Sequence, residues 1–281
     1  WPYRVTFTME HVKAVFSDYT LSSVYTNSVM AAVITALAGT LLSYGAALVT
    51  ARSTVSGKLK SVIESIALVT NTIPGMVIGL AYLFVFTGTA LQNTFAIIII
   101  CNIVHFFSTP YLMMKNSLSK MNASWETTAM LMGDNWVKTI LRVVTPNAVS
   151  TLLEVFSYYF VNAMVTVSAV IFLAGARTMV ITTKIKELQY FNKYNEIFVL
   201  SLLILFTNLV ARTVFQKLAE RSKRKENLVN MKKVRKMTLK RVATFTLAAA
   251  VAVSGLGLTG CAGNASAKEQ VIIYSNADDE A

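Results

Sequence analysis

Charged residues are scarce in this sequence of 281 residues, in which Asp, Glu, Lys and Arg together make up 14%. Typical globular chains have about 25%. Hydrophobic residues make up 54%, and they cluster into long runs instead of alternating with polar residues. This composition excludes an ordinary soluble domain and is typical of a membrane protein. The two cysteines, Cys101 and Cys261, are too few for a disulfide scaffold.

Features of several binding classes are also missing. The formal net charge is +12, yet no stripe of Lys and Arg alternates with aromatic residues, so we expect no nucleic-acid partner. No Gly-x-x-x-x-Gly-Lys-[Ser/Thr] motif occurs, so we expect no P-loop nucleotide site in this sequence. His105 lies inside an apolar run without a partner at metal-ligand spacing. We therefore expect that this chain holds no metal and no cofactor, and that it is not itself an enzyme.

Five apolar runs are long enough to cross a bilayer as helices of about 20 residues. Lipid offers no partner for free backbone N–H and C=O groups, so each run should be helical. We predict an all-α, polytopic membrane helix bundle with about five spans. The runs are Val24–Val49, Leu59–Phe86, Asn93–Met114, Ala148–Leu173 and Glu196–Phe215.

The distribution of Lys and Arg predicts the orientation of the spans. More basic residues follow the first, third and fifth runs than lie in the other connections. This bias places the loop 117–146 in the cytoplasm and residues 1–23 outside the cell, on either side of a transmembrane domain at 24–215. Residues 216–230 form a basic cytoplasmic tail. Because the chain begins at Trp1 rather than at methionine, we expect further sequence before it.

The sequence from Met231 has the layout of a secretory signal peptide. A basic segment that ends at Arg241 precedes an apolar run, Val242–Leu258, and small residues follow. About 17 apolar residues can just span a bilayer, so a sixth membrane helix is the alternative. We favour a signal peptide over residues 231–260, because Leu258-Thr-Gly-Cys261 resembles the lipobox of bacterial lipoproteins, in which the cysteine is lipidated.

Residues 261–281 are then the start of a second, extracytoplasmic protein. Val271–Tyr274 are apolar and predict a short buried β-strand. This segment resembles the start of a solute-binding protein. The sequence leaves open whether the join is a genuine fusion or two adjacent reading frames read as one.

The loop before the fourth run has the pattern of a short helix–turn–helix. Two apolar stripes at helical spacing flank Gly133, which can adopt a positive φ, and Asp134 or Asn135 can cap the second helix. Pro146 falls where the next membrane helix would begin. The pattern predicts an amphipathic hairpin outside the lipid, suited to docking into a groove on a partner. The stripes are Met121, Trp125, Ala129 and Met132, followed by Trp136, Ile140 and Val143.

The segment Glu126–Gly133, followed by Val143–Pro146, resembles the EAA loop of binding-protein-dependent ABC-importer permeases. The Gly-to-Pro spacing matches, and Ala129 fits the second alanine of the signature. Thr127 and Thr128 stand where Glu and Ala are usual, and the acid comes one residue early, at Glu126. This departure puts in doubt the salt bridge normally made by the acid of the motif, unless Glu126 replaces it.

The resemblance covers about residues 20–220 and implies a permease half whose loop 117–146 couples it to a separate ABC ATPase. Its closest branch imports ferric iron or a phosphonate such as 2-aminoethylphosphonate, and often has two fused halves. The implied partners are ATPase subunits, an extracytoplasmic solute-binding lipoprotein and another permease half, in the bacterial inner membrane. If the halves are fused, this chain is the later part of the second and lacks at least one span. The implied coupling residues are Glu126, Ala129, Gly133, Lys138, Arg142 and Pro146.

Polar residues inside apolar runs are candidates for the translocation pathway or its hinges. Pro74 should free the carbonyl of Thr70 and kink the second span, and Gly75-x-x-x-Gly79 permits close helix contact. Glu154 should either pair with a basic residue or face a water-filled path. The candidates are Asn71, Pro74, Gly75, Asn102, His105, Glu154 and Asn162.

Three points stay open at the level of sequence. An ion-coupled secondary transporter is one rival function, although it would need a network of embedded charges, and Glu154 is the only acid well inside a run. A membrane-anchored binding or scaffold protein is the other. Outside the membrane, the face formed by Ile181, Ile185 and Leu188 could lie on the bilayer surface or meet the binding protein.

Overall fold

The computed structural model describes the backbone of residues 9–255 and the side chains of residues 9–224 apart from Ala14. This part consists of α-helices and two short turns of other helix types, with no β-strand among the described residues. A π-helical turn covers Ile140–Val144, and a 3-10 turn covers Val170–Phe172. The α-helices are α1 (Glu10–Ser17), α2 (Tyr19–Arg52), α3 (Gly57–Val69), α4 (Gly75–Phe86), α5 (Phe95–His105), α6 (Ser108–Ser119), α7 (Ser124–Leu131), α8 (Trp136–Thr139), α9 (Thr145–Val165), α10 (Ile181–Tyr190) and α11 (Tyr194–Gly255).

The chain divides into two units, of which the first ends at Glu226 and the second begins at Asn227. The membrane bundle lies in the first unit. In the second, residues 227–255 are helical, a conformation expected of a signal peptide and of a sixth span alike, so the signal peptide stays a prediction. Cys261 and the predicted start of a binding protein at 261–281 lie outside the described residues.

Helix α2 is the centre of the bundle and packs against α6 and α9. It begins at Tyr19 because the carboxylate of Asp18 accepts a hydrogen bond from the N–H of Thr20 at 2.8 Å. Small residues on its buried face let α9 approach closely. A Cβ added at Gly39 would lie 2.7 Å from the ring of Tyr159, and the Tyr159 hydroxyl is 2.9 Å from the Ser43 hydroxyl. The core of the bundle therefore depends on a glycine facing an aromatic ring.

The predicted all-α membrane helix bundle is confirmed, but with fewer long helices than the five apolar runs suggested. Among the described residues, three helices are long and apolar enough to cross a membrane, or four if the bent pair α5 and α6 is counted as one span. The qualifying helices are Tyr19–Arg52, Trp136–Val165 and Tyr194–Arg224.

The second predicted span, Leu59–Phe86, is broken into α3 and α4. Pro74 has no N–H to continue the helix, and α4 begins immediately after it. Before the proline, the N–H groups of Asn71 and Thr72 turn back onto the carbonyls of Leu68 and Val69. The predicted kink is therefore a full interruption.

The third and fourth predicted spans also differ from the structure. The third, Asn93–Met114, bends by 56° between α5 and α6. The fourth, Ala148–Leu173, begins earlier, with α9 at Thr145, and ends at Val165. At its end, the carbonyl of Thr166 accepts a hydrogen bond from the Thr182 hydroxyl at 2.9 Å, a tertiary contact in place of a helical one.

Candidate functional site

The predicted hairpin is present, with α7 and α8 joined by a tight turn. Gly133 has a φ of +77°, as its position between the two apolar stripes predicted. The N–H of Asp134 donates to the carbonyl of Ala129 at 2.9 Å, which closes the end of α7. The expected side-chain cap on α8 is absent: Asn135 occupies the cap position without such a bond, and Asp134 forms an ion pair with Lys138 instead.

The tip of the hairpin presents apolar side chains to its surroundings. Met130, Leu131 and Met132 are 70%, 85% and 77% exposed, respectively. Val137 and Leu141 on the second arm are also exposed. We call these five residues the apolar tip. Contiguous exposed apolar surface of this kind marks interaction sites.

The two predicted stripes are only partly continuous in the structure. Met121 and Trp125 pack against the main hydrophobic core, whereas Met132 turns outward. In the second stripe, Ile140 is buried and Trp136 is exposed. Each arm therefore has a base packed on the bundle and an end that faces away from it.

A buried ion pair anchors the hairpin to the membrane bundle. Arg52, the last residue of α2, lies with its Nε 2.7 Å from the Oε1 of Glu126 in the first turn of α7. Its Nη2 donates to the Oε2 of Glu126 at 2.9 Å. The side chain of Arg52 is 4% exposed and that of Glu126 is 15% exposed. The acid that comes one residue early in the signature thus has a partner within the chain.

The same guanidinium also binds the end of α6. Its Nη1 donates to the carbonyl of Met121 at 2.7 Å, and its Nη2 donates to the carbonyl of Asn122 at 3.1 Å. Nη1 also lies 3.5 Å from the carbonyl of Leu118 in the last turn of α6, where carbonyls lack partners within the helix and a buried cation is favourable. Arg52 therefore joins α2, the end of α6 and α7 at one point. The sequence marked Arg52 only as a topology signal, because its partners lie about seventy residues away.

The second arm of the hairpin joins α9 through the π-helical turn. Pro146 is in the first turn of α9, as predicted. The Thr145 hydroxyl donates to the carbonyl of Ile140 at 2.9 Å and lies 2.6 Å from the Tyr44 hydroxyl of α2. Tyr44 and Thr145 thus brace this junction, and no signal in the sequence pointed to them.

The remaining predicted coupling residues lie along the hairpin. Ala129 is half-buried on α7, and Lys138 and Arg142 are exposed on the second arm. Lys138 is engaged with Asp134. Arg142 lies on the side of the arm opposite the buried Ile140 and Val144.

Two pathway candidates meet at the interruptions of the broken spans. Asn71, from the break before α4, and His105, at the end of α5, line a cavity of about 140 Å³. Gly75 lies beside it, since a Cβ added there would be 3.0 Å from the Nε2 of His105. Pro74 creates the break that places Asn71 there. The other lining residues are Thr70, Phe106, Ser108, Thr109 and Tyr158. We call this space the upper cavity.

Two other candidates line a larger cavity between α6, α9 and α11. Glu154 and Asn162 both face this space of about 440 Å³. Glu154 does pair with a base, because the Nζ of Lys223 lies 2.7 Å from its Oε1. The other lining residues are Met113, Ser157, Tyr158, Val161, Arg212 and Gln216. We call this space the lower cavity.

Tyr158 lines both cavities and lies between them. Its ring meets that of Phe106 edge to face, with centroids 6.4 Å apart. Asn162 donates from its Nδ2 to the Tyr158 carbonyl at 2.7 Å, which leaves its side-chain oxygen available. Sequence reasoning missed Tyr158, because an aromatic residue in a span is usually part of the core.

Asn102 does not join either cavity. It is 2% exposed and lines a narrow pocket beside Ser28 and Ile181. Within the described residues, no group of three or more His, Cys, Asp or Glu side chains is arranged to hold a metal ion.

The face of α10 that was expected to meet the membrane surface or the binding protein is buried. Ile181 and Leu188 belong to a hydrophobic cluster with residues of α2 and α11, and Ile185 packs against it. Both alternatives are therefore wrong for this face. The exposed end of α10 instead carries Tyr190, which is 83% exposed, and Phe191 follows it.

Comparison with known proteins gives consistent matches. A family model described as "Binding-protein-dependent transport system inner membrane component" matches residues 39–225. The ferric transport system permease protein FbpB of Actinobacillus pleuropneumoniae is 30% identical over 158 residues, which are 56% of this chain and 22% of that protein. The chain thus spans about a fifth of the length of this relative.

Two groups of solved structures share the fold. A bacterial ABC transporter involved in the import of the acidic polysaccharide alginate matches with a TM-score of 0.62 and 15% identity, covering 79% of this chain and 85% of that one. An inward-facing structure of the MetNI methionine ABC transporter matches with a TM-score of 0.59 and 12% identity, covering 76% and 99%. At such low identity, these likenesses show the fold alone.

Proposed function

Because this chain belongs to the family of binding-protein-dependent transport system inner membrane components, we propose that it works as the permease of an ABC importer. In this function, the helix bundle forms the path for the solute, and a separate ATPase subunit binds and hydrolyses ATP. The observation that carries the proposal is the exposed apolar tip, anchored to the bundle through Arg52 and Glu126.

The apolar tip is the proposed docking site for the ATPase. Two of its three most exposed side chains are methionines, whose unbranched, flexible thioether chains adapt to the shape of a groove. Burying such side chains contributes about 1.5–3 kcal/mol each when burial is complete. Met130 and Leu131 at the end of α7 are exposed, as insertion into a cleft on a partner requires.

The proposed coupling runs from this tip into the bundle by two connections. Movement of α7 passes through Glu126 to Arg52, and so to α2 and α6 together. Movement of α8 passes through the π-helical turn to α9, next to the brace between Tyr44 and Thr145. Since α2, α6 and α9 form the core, a displacement of the tip changes the packing of the helices that surround both cavities.

The solute path proposed here follows the upper and lower cavities, with Tyr158 and Phe106 between them. Asn71 and His105 supply polar groups in the upper cavity, and Glu154 and Asn162 supply them in the lower one. Alternating access then corresponds to opening and closing the passage at Tyr158. The broken helices α3 and α4 and the bent pair α5 and α6 supply the hinges beside it.

The proposed substrate is ferric iron or a phosphonate such as 2-aminoethylphosphonate. Ferric iron is supported by the identity to the ferric transport system permease, and the phosphonate by the resemblance of the sequence. The further partners in this proposal are a second permease half and an extracytoplasmic binding lipoprotein. The protein lies in the bacterial inner membrane, with the hairpin in the cytoplasm, as the distribution of basic residues supports.

Co-purification tests the proposal directly. The tagged chain, expressed with the ATPase of its own transporter, should retain that ATPase, and Leu131→Asp should abolish the retention. Tyr190→Asp is the matched control, because Tyr190 is exposed to a similar degree but lies at the end of α10, and it should retain the ATPase fully. Equal retention by Leu131→Asp and the wild type would exclude the apolar tip as the docking site.

A further inference from the structure

A positively charged side chain that makes no ion pair within the described part of the bundle lines the lower cavity. Arg212 of α11 lines this cavity together with Asn162 and Gln216. The acid in the same cavity, Glu154, is already paired with Lys223. Within the described residues, no hydrogen bond or ion pair holds the guanidinium of Arg212, which stays charged in proteins and carries five donors.

The position of Arg212 is deeper than the usual basic end of a membrane helix. The ring of Phe215 lies 4.8 Å from that of Phe156, near the middle of α9. Lys223 pairs with Glu154, which is closer to the hairpin, so α11 runs antiparallel to α9. Arg212 therefore lies about one helical turn further from the hairpin than Phe215, level with the second half of α9.

A charged side chain at this depth is costly unless it faces water or a partner. Lys217, Arg221 and Arg224 follow on the same helix and already supply the positive charge that fixes its orientation. Orientation alone thus does not account for Arg212. Arg212 is exposed and lines the lower cavity. Water can reach its guanidinium there, and a negatively charged solute can pair with it.

In the part of the chain that the structure describes, Arg212 is the charged residue of the lower cavity that lacks a partner of opposite charge. Glu154 pairs with Lys223, and Glu220, which accepts a hydrogen bond from Gln216, does not line the cavity. A neighbouring cavity of about 420 Å³ shares Met113 and Glu154 with the lower cavity and adds Lys120. Unpaired positive charge beside a low-dielectric passage attracts anions.

We propose that Arg212, with Gln216 and Asn162, forms a binding subsite for an oxyanion, so that the solute enters the cytoplasm as an anion. This inference rests on the proposed function and refines its substrate. The guanidinium matches a planar or tetrahedral oxyanion with two parallel donors. Each amide adds its second N–H, since the first already donates, from Gln216 to Glu220 at 3.3 Å and from Asn162 to the Tyr158 carbonyl at 2.7 Å. A phosphonate and an anionic ferric chelate share this chemistry, whereas a bare ferric cation is repelled.

Binding measurements in nanodiscs of phosphatidylcholine test the subsite without anionic lipid. The chain is purified with its co-purifying subunits, and binding of methylphosphonate is followed by phosphorus NMR and binding of radiolabelled ferric citrate by equilibrium dialysis. We expect saturable binding of at least one probe, with Kd raised about tenfold or more by Arg212→Gln, since charge-assisted hydrogen bonds are lost. Arg212→Lys should lose less, and Arg221→Gln should match the wild type.

Each outcome of these binding measurements has a defined consequence. Arg212-dependent binding of methylphosphonate assigns a free oxyanion, and Arg212-dependent binding of ferric citrate alone assigns an anionic chelate. The same Kd in Arg212→Gln and the wild type, or no binding of either probe, overturns the subsite. So does binding confined to added phosphatidylglycerol, because the partner of Arg212 would then be a lipid. The ATPase content of each preparation separates the two ideas, since its loss from the wild type contradicts the proposed function and not the subsite.

Discussion

The guanidinium of Arg52 and the carboxylate of Glu126 meet at two points, with Nε 2.7 Å from Oε1 and Nη2 2.9 Å from Oε2. They connect the end of the central helix α2 to the beginning of α7. Both side chains are largely buried, and the same guanidinium binds carbonyls at the end of α6 and in the turn that follows it. Removing either partner leaves an uncompensated charge in the interior, which is much more costly than losing a surface ion pair.

Arg52→Met should therefore both destabilise the bundle and uncouple it. We expect a loss of about 3–5 kcal/mol in the free energy of unfolding, measured by denaturation in detergent. In proteoliposomes, the ATPase should still hydrolyse ATP while the amount of solute imported per ATP falls, because α7 is no longer tied to α2.

Glu126→Gln is the milder companion to that variant, because it keeps the shape and one hydrogen-bond acceptor. It should reduce import per ATP in the same direction. The control is Lys138→Met, which breaks an exposed pair with Asp134 in the same hairpin and should change stability by about 0–1 kcal/mol. Unchanged import per ATP in both Arg52→Met and Glu126→Gln would show that this ion pair does not transmit the motion.

The turn of the hairpin gives a second prediction. Gly133→Ala should cost about 1–2 kcal/mol, because a side chain at φ +77° clashes with the following carbonyl. Gly57→Ala is the control, since Gly57 has an ordinary backbone and open space around its Cα. The measurement is protection of the hairpin in hydrogen exchange, which Gly133→Ala should lower and Gly57→Ala should leave unchanged.

The features that the sequence predicted correctly depend on residues close together in the chain. Gly133, Pro146 and the apolar stripes lie within one short segment, so their spacing was enough to predict the hairpin and its turn. Pro74 correctly marked the weak point of the second span for the same reason. The interruption was larger than expected because Asn71 and Thr72 find backbone partners of their own just before the proline.

The features that the sequence did not predict are tertiary contacts. The pairing of Arg52 with Glu126, of Tyr44 with Thr145 and of Lys223 with Glu154 joins residues far apart in the chain. An apolar helical face such as that of α10 has the same pattern whether lipid, a partner or the protein itself covers it. The hydrogen bond from the Thr182 hydroxyl at the end of α9 is likewise a contact that periodicity cannot predict.

A third prediction concerns the contact between α2 and α9. Gly39→Ala should destabilise the bundle by about 1–3 kcal/mol, because its Cβ would lie 2.7 Å from the Tyr159 ring in a packed interior. Gly45→Ala on the same helix meets nothing within 4 Å and should be neutral or stabilising by up to about 1 kcal/mol. Thermal unfolding of the two variants in parallel gives the comparison, and equal melting temperatures would contradict the close packing.

A fourth prediction concerns the passage between the two cavities. Tyr158→Ala removes the ring that separates them and the edge-to-face contact with Phe106. We expect solute to leak through proteoliposomes without ATP, while ATPase docking at the distant hairpin is retained. Tyr158→Phe keeps the ring and should keep the passage closed. If neither variant leaked without ATP, the passage would be closed by residues other than Tyr158.

Crosslinking from the apolar tip tests the central claim most directly. In a background with Cys101 and Cys261 replaced by alanine, Leu131→Cys should crosslink in intact cells to the ATPase subunit and resist thiol reagents that cannot cross the membrane. Gln189→Cys, on the exposed side of α10, should not crosslink to the ATPase and should react with the impermeant reagents. A Leu131→Cys that reacts with impermeant reagents from outside, or that never crosslinks to an ATPase, would contradict the assignment of the hairpin as the cytoplasmic connection of an importer.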